Sequence, residues 1–214
     1  MSLADEYRPR TWDQVAGQPK VLARVRALRR RGLGGRAYWL AGPSGTGKTT
    51  VARLIAQELA EPWAISELDA GELSLESVRR FSKQQKTRAL SAERPGWAFV
   101  INEAHGLRKD VLRALLVVLE DIPPHCAWLF TTTRAGEDEL MESKHDAAPL
   151  LSRCVVLEFS TYGVLDAFAE RAWVIAQDAG LVESGTLEDV KRLLRKKKNN
   201  LRAVLQEIEA GALL

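Results

Sequence analysis

Short apolar runs alternate with amphipathic segments through residues 19–159. Each run is too short for a helix and indicates a buried strand; the five runs are 37–41, 63–68, 97–101, 127–132 and 154–159. Apolar residues recur at helical spacing before and between them, over 19–31, 48–59, 75–90 and 109–119. Buried strands that alternate with helices predict a five-stranded parallel α/β sheet with helices on both faces.

The pattern changes after Phe159, where signals for strands stop. Three apolar stripes follow at helical spacing, beginning at Leu165, Leu187 and Leu201. We therefore predict an α/β domain over residues 1–160 and a small all-helical domain over 161–214.

Composition and charge narrow the class of protein. With 46% hydrophobic and 28% charged residues, the chain is typical of globular proteins. No apolar run approaches the roughly 18 residues that span a bilayer, so we expect a cytoplasmic protein without a membrane partner. Two cysteines exclude a four-cysteine zinc cluster, and we expect any metal to be held by oxygen ligands. The net charge of +3 hides a basic segment: residues 1–36 hold nine Lys/Arg against three Asp/Glu.

A glycine-rich loop lies between the first predicted strand and the helix that follows it. Residues 42–49, GPSGTGKT, match the phosphate-binding pattern GxxxxGK[ST], and the strand–loop–helix context is the one that the pattern requires. Backbone N–H groups of such a loop surround phosphates, the lysine neutralises them, and the hydroxyl that follows ligates Mg²⁺. We predict that ATP and Mg²⁺ bind here, at Gly42, Pro43, Ser44, Gly45, Thr46, Gly47, Lys48, Thr49 and Thr50.

The third predicted strand ends in a second candidate group, Asn102, Glu103, Ala104 and His105. In nucleotide hydrolases with a phosphate-binding loop, an acidic residue at this point holds hydrated Mg²⁺, and a neighbouring carboxylate polarises the attacking water. Glu103 has the position for the second role. A lone histidine such as His105 is more often a packing or hydrogen-bonding residue than a metal ligand.

Several motifs in a fixed order resemble those of one family. They are 7–18 (YRPRTWDQVAGQ), 67–70 (ELDA), 102–105 (NEAH), 131–133 (TTT), 152–154 (SRC) and 200–202 (NLR). The chain resembles AAA+ ATPases of the clamp-loader group, which includes bacterial tau/gamma subunits and the small subunits of eukaryotic and phage loaders. This resemblance implies the P-loop NTPase (AAA+) fold with a helical lid.

The resemblance also implies roles for individual residues. Glu103 would activate water, Thr133 (with Thr132 as the alternative) would sense the γ-phosphate, and Arg202 would reach it from the lid. Arg153 would act as an arginine finger on ATP bound to a neighbouring subunit; the plain alternatives are a salt-bridged Arg153 and a solvated Arg202. Thr49 and Asn102 would hold the metal. The adenine pocket would be bordered by Tyr7, Arg8, Pro9, Val15, Gly17 and Gln18.

Three departures from the family pattern stand out. Asn102 replaces the expected aspartate and removes a charge, which predicts weaker Mg²⁺ binding and slower turnover. An acidic insertion with Glu137, Asp138, Glu139 and Glu142 lengthens the segment before Ser152; it is a partner-binding loop or, more simply, a solvated one. The zinc module of tau/gamma subunits is missing, because no cysteines lie between the second and third predicted strands. These 214 residues end directly after the predicted lid and include no collar domain, so either a collar lies outside this sequence or the protein assembles without one.

The resemblance further implies contact with DNA and other subunits. On the predicted helix 75–90, Arg79, Lys83 and Lys86 fall on one face at i, i+4 and i+7, where they suit a duplex backbone or are simply solvated. The arginine-rich helix at 24–31 and the run 195–198 are alternative sites. Expected partners are other AAA+ subunits, double-stranded or primed DNA, and a sliding clamp.

Two functions of different classes follow. The first is an ATP-driven subunit of a clamp-loader-like oligomer acting at DNA in replication or repair. The second is a slow or non-hydrolysing nucleotide-binding scaffold that supplies Arg153 to a catalytic partner. Another DNA-processing AAA+ ATPase, of branch migration or replication restart, is a further alternative, because relatives share the motif at residues 7–18, the N-terminal box.

Overall fold

The structure is a computed structural model, and it describes residues 1–133 and 147–214. The described strands are β1 Arg36–Ala41, β2 Ile65–Asp69, β3 Trp97–Asn102, β4 Cys126–Thr132 and β5 Cys154–Glu158. The described α-helices are α1 Leu3–Glu6, α2 Pro19–Arg29, α3 Lys48–Leu59, α4 Leu75–Gln84, α5 Lys109–Val118, α6 Ala147–Ser152, α7 Leu165–Asp178, α8 Leu187–Lys196 and α9 Leu201–Glu209. Short 3₁₀ turns cover Trp12–Gln14, Pro62–Ala64 and Ala104–Gly106.

The five described strands form one parallel sheet in the order β2-β3-β4-β1-β5. The predicted parallel five-stranded sheet is confirmed. Every residue of β4 is buried, which its continuous apolar run requires of a strand covered on both faces. Because β1 lies between β4 and β5, the loop that follows β1 emerges one strand in from the edge strand β5.

Helices cover both faces of the sheet, as the alternating pattern predicts. On one face Trp39, Phe99 and Phe130 pack against α4 and α5. On the other, Tyr38 and Val100 join the core formed with α2 and α3. Neighbouring residues such as Tyr38 and Trp39 point to opposite faces, which explains why β1 is apolar without alternation.

Several predicted boundaries are wrong. The helix predicted over 75–90 ends at Gln84, because the next residue, Gln85, is buried and accepts a hydrogen bond from the indole of Trp128 at 2.9 Å. The backbone beyond it turns back toward β3, and the carbonyl of Thr87 accepts from the Trp97 indole at 2.9 Å. Strand β2 begins at Ile65 rather than at residue 63, since Pro62 opens a 3₁₀ turn. Helix α2 ends at Arg29, and α1 and α6 are additional short helices.

The C-terminal helices α7, α8 and α9 enclose a core of their own, centred on Phe168, Val190 and Val204. Helix α8 begins with a capping box in which the Thr186 hydroxyl accepts from the N–H of Asp189. Leu3 of α1 is 5% exposed and belongs to this core, so the N-terminal arm packs on the C-terminal helices. The division into domains 1–160 and 161–214 stays a prediction. Within the described ranges, no helix combines the length and apolar character needed to cross a bilayer.

Candidate nucleotide-binding site

The loop between β1 and α3 is built for close approach of an anion. Gly45 and Gly47 have φ angles of +73° and +98°, which residues with a side chain rarely adopt. Lys48, the first residue of α3, is only 8% exposed and donates from Nζ to the carbonyls of Gly42 at 2.8 Å and Pro43 at 2.9 Å. The loop therefore holds its lysine folded inward against its own carbonyl groups.

Burial makes Lys48 an unusually weak base. Desolvation lowers the pKa of its ammonium group to about 8; the carboxylate of Glu103 opposes that shift, and the guanidinium of Arg202 adds to it. Phosphate oxygens would add negative charge beside the buried ammonium group and so favour its charged form.

The cleft above this loop brings together residues from distant parts of the chain. Its positive charges come from Lys48 and from the arginines Arg8, Arg53 and Arg202; its carboxylates are those of Glu67, Asp69 and Glu103. Of these, Lys48, Glu103, Arg8 and Arg202 are sites that the sequence predicts. Arg53, Glu67 and Asp69 are additions from the structure: Arg53 comes from α3, and the pairing of β2 with β3 brings Glu67 and Asp69 here.

Asn102, at the end of β3, is the centre of a hydrogen-bond network. Its Oδ1 accepts from the hydroxyls of Thr131 at 2.9 Å and Thr49 at 3.4 Å, and its Nδ2 donates to Glu67 Oε1 at 2.8 Å. Arg53 in turn donates to both carboxylate oxygens of Glu67, at 2.7 and 3.0 Å. The two predicted metal residues, Thr49 and Asn102, are thus neighbours.

Glu103 has a left-handed backbone, with φ of 51°. Such a conformation is uncommon for a residue with a long side chain and often marks a functional position. Its Oε2 lies 3.5 Å from Nδ1 of His105, and the same nitrogen lies 3.2 Å from the hydroxyl of Thr132. The carboxylate remains 55% exposed on the side of the cleft.

The three threonines at the end of β4 have different surroundings. Thr133 lines the cleft, whereas Thr132 is buried and contacts His105. Thr131 bonds to Asn102 and is a site residue that the sequence argument misses. The geometry favours Thr133 over Thr132 as the residue nearest a γ-phosphate, although its role as a sensor stays a prediction.

An apolar pocket adjoins the phosphate loop. Tyr7, Arg8, Pro9 and Val15 line it together with Thr50, as the N-terminal box predicts, and the C-terminal helices add Phe168, Arg171, Ile175, Leu201, Arg202 and Leu205. Flat apolar walls with a few polar groups suit an adenine base. Apart from Arg202, which the sequence predicts, the residues from α7 and α9 are additions from the structure.

Gly17 and Gln18 lie outside the lining of that pocket. The buried side chain of Gln18 donates to the carbonyl of Ser160 at 2.8 Å and accepts from the N–H of the same residue at 3.1 Å. A Cβ added to Gly17 would lie 3.0 Å from Phe168 and 3.2 Å from Val164. In the structure these two residues contact the junction between β5 and α7, and nucleotide contact by either stays a prediction.

The donor set fits Mg²⁺. A hydroxyl, an amide oxygen and carboxylates are hard oxygen ligands of the kind that Mg²⁺ prefers. Among the described residues, no group of three or more His, Cys, Asp or Glu side chains forms a metal cage. A magnesium ion at this site would therefore use Thr49, Asn102, water and nucleotide phosphates.

Residues 38–157 match the model of one protein family, the ATPase family associated with various cellular activities (AAA). This segment contains the loop, Asn102, Glu103 and all five strands except the first two residues of β1 and the last residue of β5. The chain belongs to the AAA ATPase family. Membership implies nucleotide binding, and Mg²⁺ is the metal typical of it.

Relatives of this AAA ATPase include clamp-loader subunits. The replication factor C small subunit of Thermofilum pendens is 24% identical over 213 residues, which are 97% of this chain and 62% of the relative. The subunit from Staphylothermus marinus is 25% identical over 99% of this chain and 62% of its own length. The DNA polymerase III subunit gamma/tau of Mycobacterium tuberculosis is 29% identical over 62% of this chain and 27% of its own. The chain spans less than two thirds of the length of each.

A solved structure shares the fold. The Holliday junction branch migration motor RuvB of Thermotoga maritima superposes with a TM-score of 0.68 at 24% identity, covering 95% of this chain and 64% of that one. The likeness concerns architecture, and it includes the helical C-terminal region.

Arg153 lies away from the cleft of its own AAA ATPase chain. Just before β5, its guanidinium donates to Glu120 at 2.8 Å and to the carbonyl of Pro149 at 2.9 Å. Its side chain is 32% exposed, and Arg153 is absent from the described residues that line the phosphate cleft. This position is compatible with a role in a neighbouring subunit and with a plain surface ion pair.

The candidate DNA residues are exposed, but the predicted stripe is shorter than expected. Arg79 and Lys83 lie on α4, whereas Lys86 lies beyond the end of that helix. The acidic insertion with Glu137, Asp138, Glu139 and Glu142 lies outside the described residues.

Proposed function

We propose that this chain is the Mg²⁺-dependent ATP-hydrolysing subunit of a clamp-loader-like assembly that acts at DNA. One observation carries the proposal: the phosphate loop, Glu103 of the sheet and Arg202 of α9 meet in a single cleft. The relatives named as replication factor C and DNA polymerase III subunits favour this class of AAA assembly.

The groups in the cleft divide the work of hydrolysis. The loop N–H groups and Lys48 hold the phosphates, and Arg202 adds positive charge from the side of the C-terminal helices. Bound Mg²⁺ supplies charge neutralisation at the phosphate oxygens. Glu103 orients water and accepts its proton, once its carboxylate turns from His105 toward the cleft.

Hydrolysis of ATP, titrated with primed DNA, tests this proposal. We expect turnover that rises with DNA and is lost in Lys48→Ala, and Glu103→Gln should bind ATP but turn it over at least 100-fold more slowly. Binding of ATP without turnover in the wild-type chain would refute a motor and would leave the scaffold, which Asn102 favours because it lacks the charge of an aspartate.

A mixing experiment tests Arg153 as a finger in trans. Lys48→Ala removes the lysine that holds the phosphates but keeps the finger, whereas Arg153→Ala keeps the nucleotide site and loses the finger. In a trans mechanism, mixing the two inactive variants restores turnover at the interfaces that combine them. If the mixture stays inactive while wild-type subunits assemble and hydrolyse ATP, Arg153 is only the partner of Glu120. Light scattering on the same samples gives the assembly mass.

The basic residues of the α4 region are tested by the salt dependence of DNA binding. Neutralising Arg79, Lys83 and Lys86 together removes up to three phosphate contacts, so the slope of log K against log salt should fall by about 2 to 3. Neutralising the exposed residues Arg195, Lys196 and Lys198 in the same assay tests the alternative site at 195–198. An unchanged slope in the first variant would rule out this surface.

A further inference from the structure

We propose that Glu67 supplies the negative charge that Asn102 lacks at the metal site. The inference rests on the proposed function, in that it assumes a Mg²⁺–nucleotide complex in the cleft. Glu67 would act through Asn102 and through water on the metal, so it is a positioning residue.

Strand register brings Glu67 to Asn102. In the parallel pair β2–β3, Glu67 lies opposite Val100, and Asp69 lies opposite Asn102. Val100 belongs to the core beneath α3, and side chains two apart on a strand share a face. Glu67 and Asn102 therefore both point to the side from which α3 presents Thr49.

The hydrogen bond between them fixes the orientation of the amide. Because Asn102 Nδ2 donates to Glu67 Oε1 at 2.8 Å, the single acceptor of the amide, Oδ1, must face Thr49 and Thr131. An asparagine without this partner is free to turn either group toward the metal. The carboxylate thus selects the useful orientation and adds one negative charge directly behind it.

Arg53 makes the assignment testable. Its bidentate contact with Glu67 offers a second explanation for the carboxylate, namely that it only pairs with an arginine of α3. The two explanations separate because removing Arg53 breaks the ion pair but leaves the charge of Glu67 at Asn102.

Equilibrium binding of a fluorescent ATP analogue, measured in EDTA and in Mg²⁺, provides the readout. The ratio of the two dissociation constants measures how much Mg²⁺ strengthens binding, independently of turnover. Glu67→Gln is the matched variant, since its amide oxygen still accepts from Asn102 and only the charge is lost. We expect the ratio to fall about tenfold, the lower range for loss of a group that supports a metal ligand. Glu72→Gln, an exposed carboxylate beyond β2, should leave it unchanged.

Two further variants complete the test. Arg53→Gln should keep the ratio at its wild-type value or raise it, and Asn102→Asp combined with Glu67→Gln should recover the loss. The inference fails if Glu67→Gln keeps the ratio, if Arg53→Gln lowers it equally, or if the double variant shows no recovery. Failure of the proposed function looks different, because the wild-type chain would then bind ATP without hydrolysing it, and the effect of Glu67→Gln on the ratio of dissociation constants would still be measurable.

Affinity for Mn²⁺, followed by electron paramagnetic resonance with nucleotide bound, gives a second measurement that does not depend on the fluorescent group. Glu67→Gln should weaken Mn²⁺ binding by a similar factor. Equal Mn²⁺ affinity in the variant and the wild type would overturn the inference.

Discussion

Nucleotide binding should draw a proton onto Lys48. With a pKa of about 8 in the free protein, this lysine is about 0.1 neutral at pH 7 and about 0.9 neutral at pH 9. An ordinary lysine with a pKa of 10.5 is about 0.03 neutral at pH 9. Phosphates stabilise the protonated form of Lys48, so ATP binding at pH 9 should take up about 0.9 proton.

The same change appears in affinity. Only the protonated lysine binds phosphate strongly, and deprotonation above pH 8 therefore opposes binding. If the bound lysine stays charged throughout, affinity for ATP is proportional to the protonated fraction of Lys48 in the free protein. With a pKa of about 8, that fraction, and with it the affinity, falls about 90-fold between pH 7 and pH 10. Affinity falls with rising pH because the pKa of Lys48 is lowered. A lysine with this pKa loses its proton between pH 7 and pH 10, whereas an ordinary lysine stays largely charged up to about pH 10.

Isothermal titration calorimetry in two buffers of different ionisation enthalpy measures proton uptake directly. The control is Lys48→Arg, whose guanidinium stays charged at every pH used, so its weaker binding should carry no uptake. An uptake below about 0.3 proton at pH 9, or equal uptake in the arginine variant, would show that burial does not lower the pKa of Lys48 to about 8.

Three other perturbations follow from particular contacts. Gly45→Ala places a Cβ 1.8 Å from Oδ1 of Asn200 at a φ of +73°; we expect at least tenfold weaker ATP binding and a loss of about 1–2 kcal/mol in the free energy of unfolding, measured by titration and urea denaturation. Phe168→Ala empties a position that is 1% exposed beside the adenine pocket and should cost about 3–5 kcal/mol in the same denaturation assay. Burial raises the pKa of the Cys126 and Cys154 thiols to about 11 and about 12, so iodoacetamide at pH 8 should modify them over 100-fold faster in urea than in the native protein, as followed by mass spectrometry.

Each of these perturbations has a matched comparison. Gly71→Ala meets no atom within 4 Å and should bind ATP normally, so equal loss in both glycine variants would discount the contact with Asn200. Val174→Ala, at a site on α7 that is 53% exposed, should change stability by less than about 0.5 kcal/mol. Fast modification of the native thiols would contradict their burial.

The sequence predicts the local features of the site better than it predicts which residues lie next to them in the folded structure. The loop 42–49 and the ends of β1 and β3 follow from hydrophobic pattern and turn chemistry, which act over a few residues. The strand order does not follow from pattern, because pairing of β3 with β2 and β4 is decided by packing across the whole sheet. For this reason the partners of Asn102, which are Glu67 and Thr131, appear only in the structure.

The N-terminal arm illustrates a second kind of failure. No periodic pattern marks Leu3 as buried, since four residues are too few to show one, yet it enters the core of the C-terminal helices. Gln18 shows the converse: its place in a recognisable box predicts nucleotide contact, while its amide bonds to Ser160. A residue's position in a motif therefore indicates the region of the fold in which it lies. It does not indicate the hydrogen-bond partners of its side chain, because a buried polar group bonds to the backbone groups that need partners there.

Contacts across the cleft indicate how nucleotide would act on the fold. The side chain of Asn200 lies against Gly45 of the phosphate loop, and Arg171 of α7 donates to the carbonyl of Tyr7 at 3.1 Å. The loop, the N-terminal arm and the C-terminal helices therefore border one pocket. A ligand that touches all three favours the arrangement in which they are close, and it stabilises that arrangement by RT ln(1 + [L]/Kd).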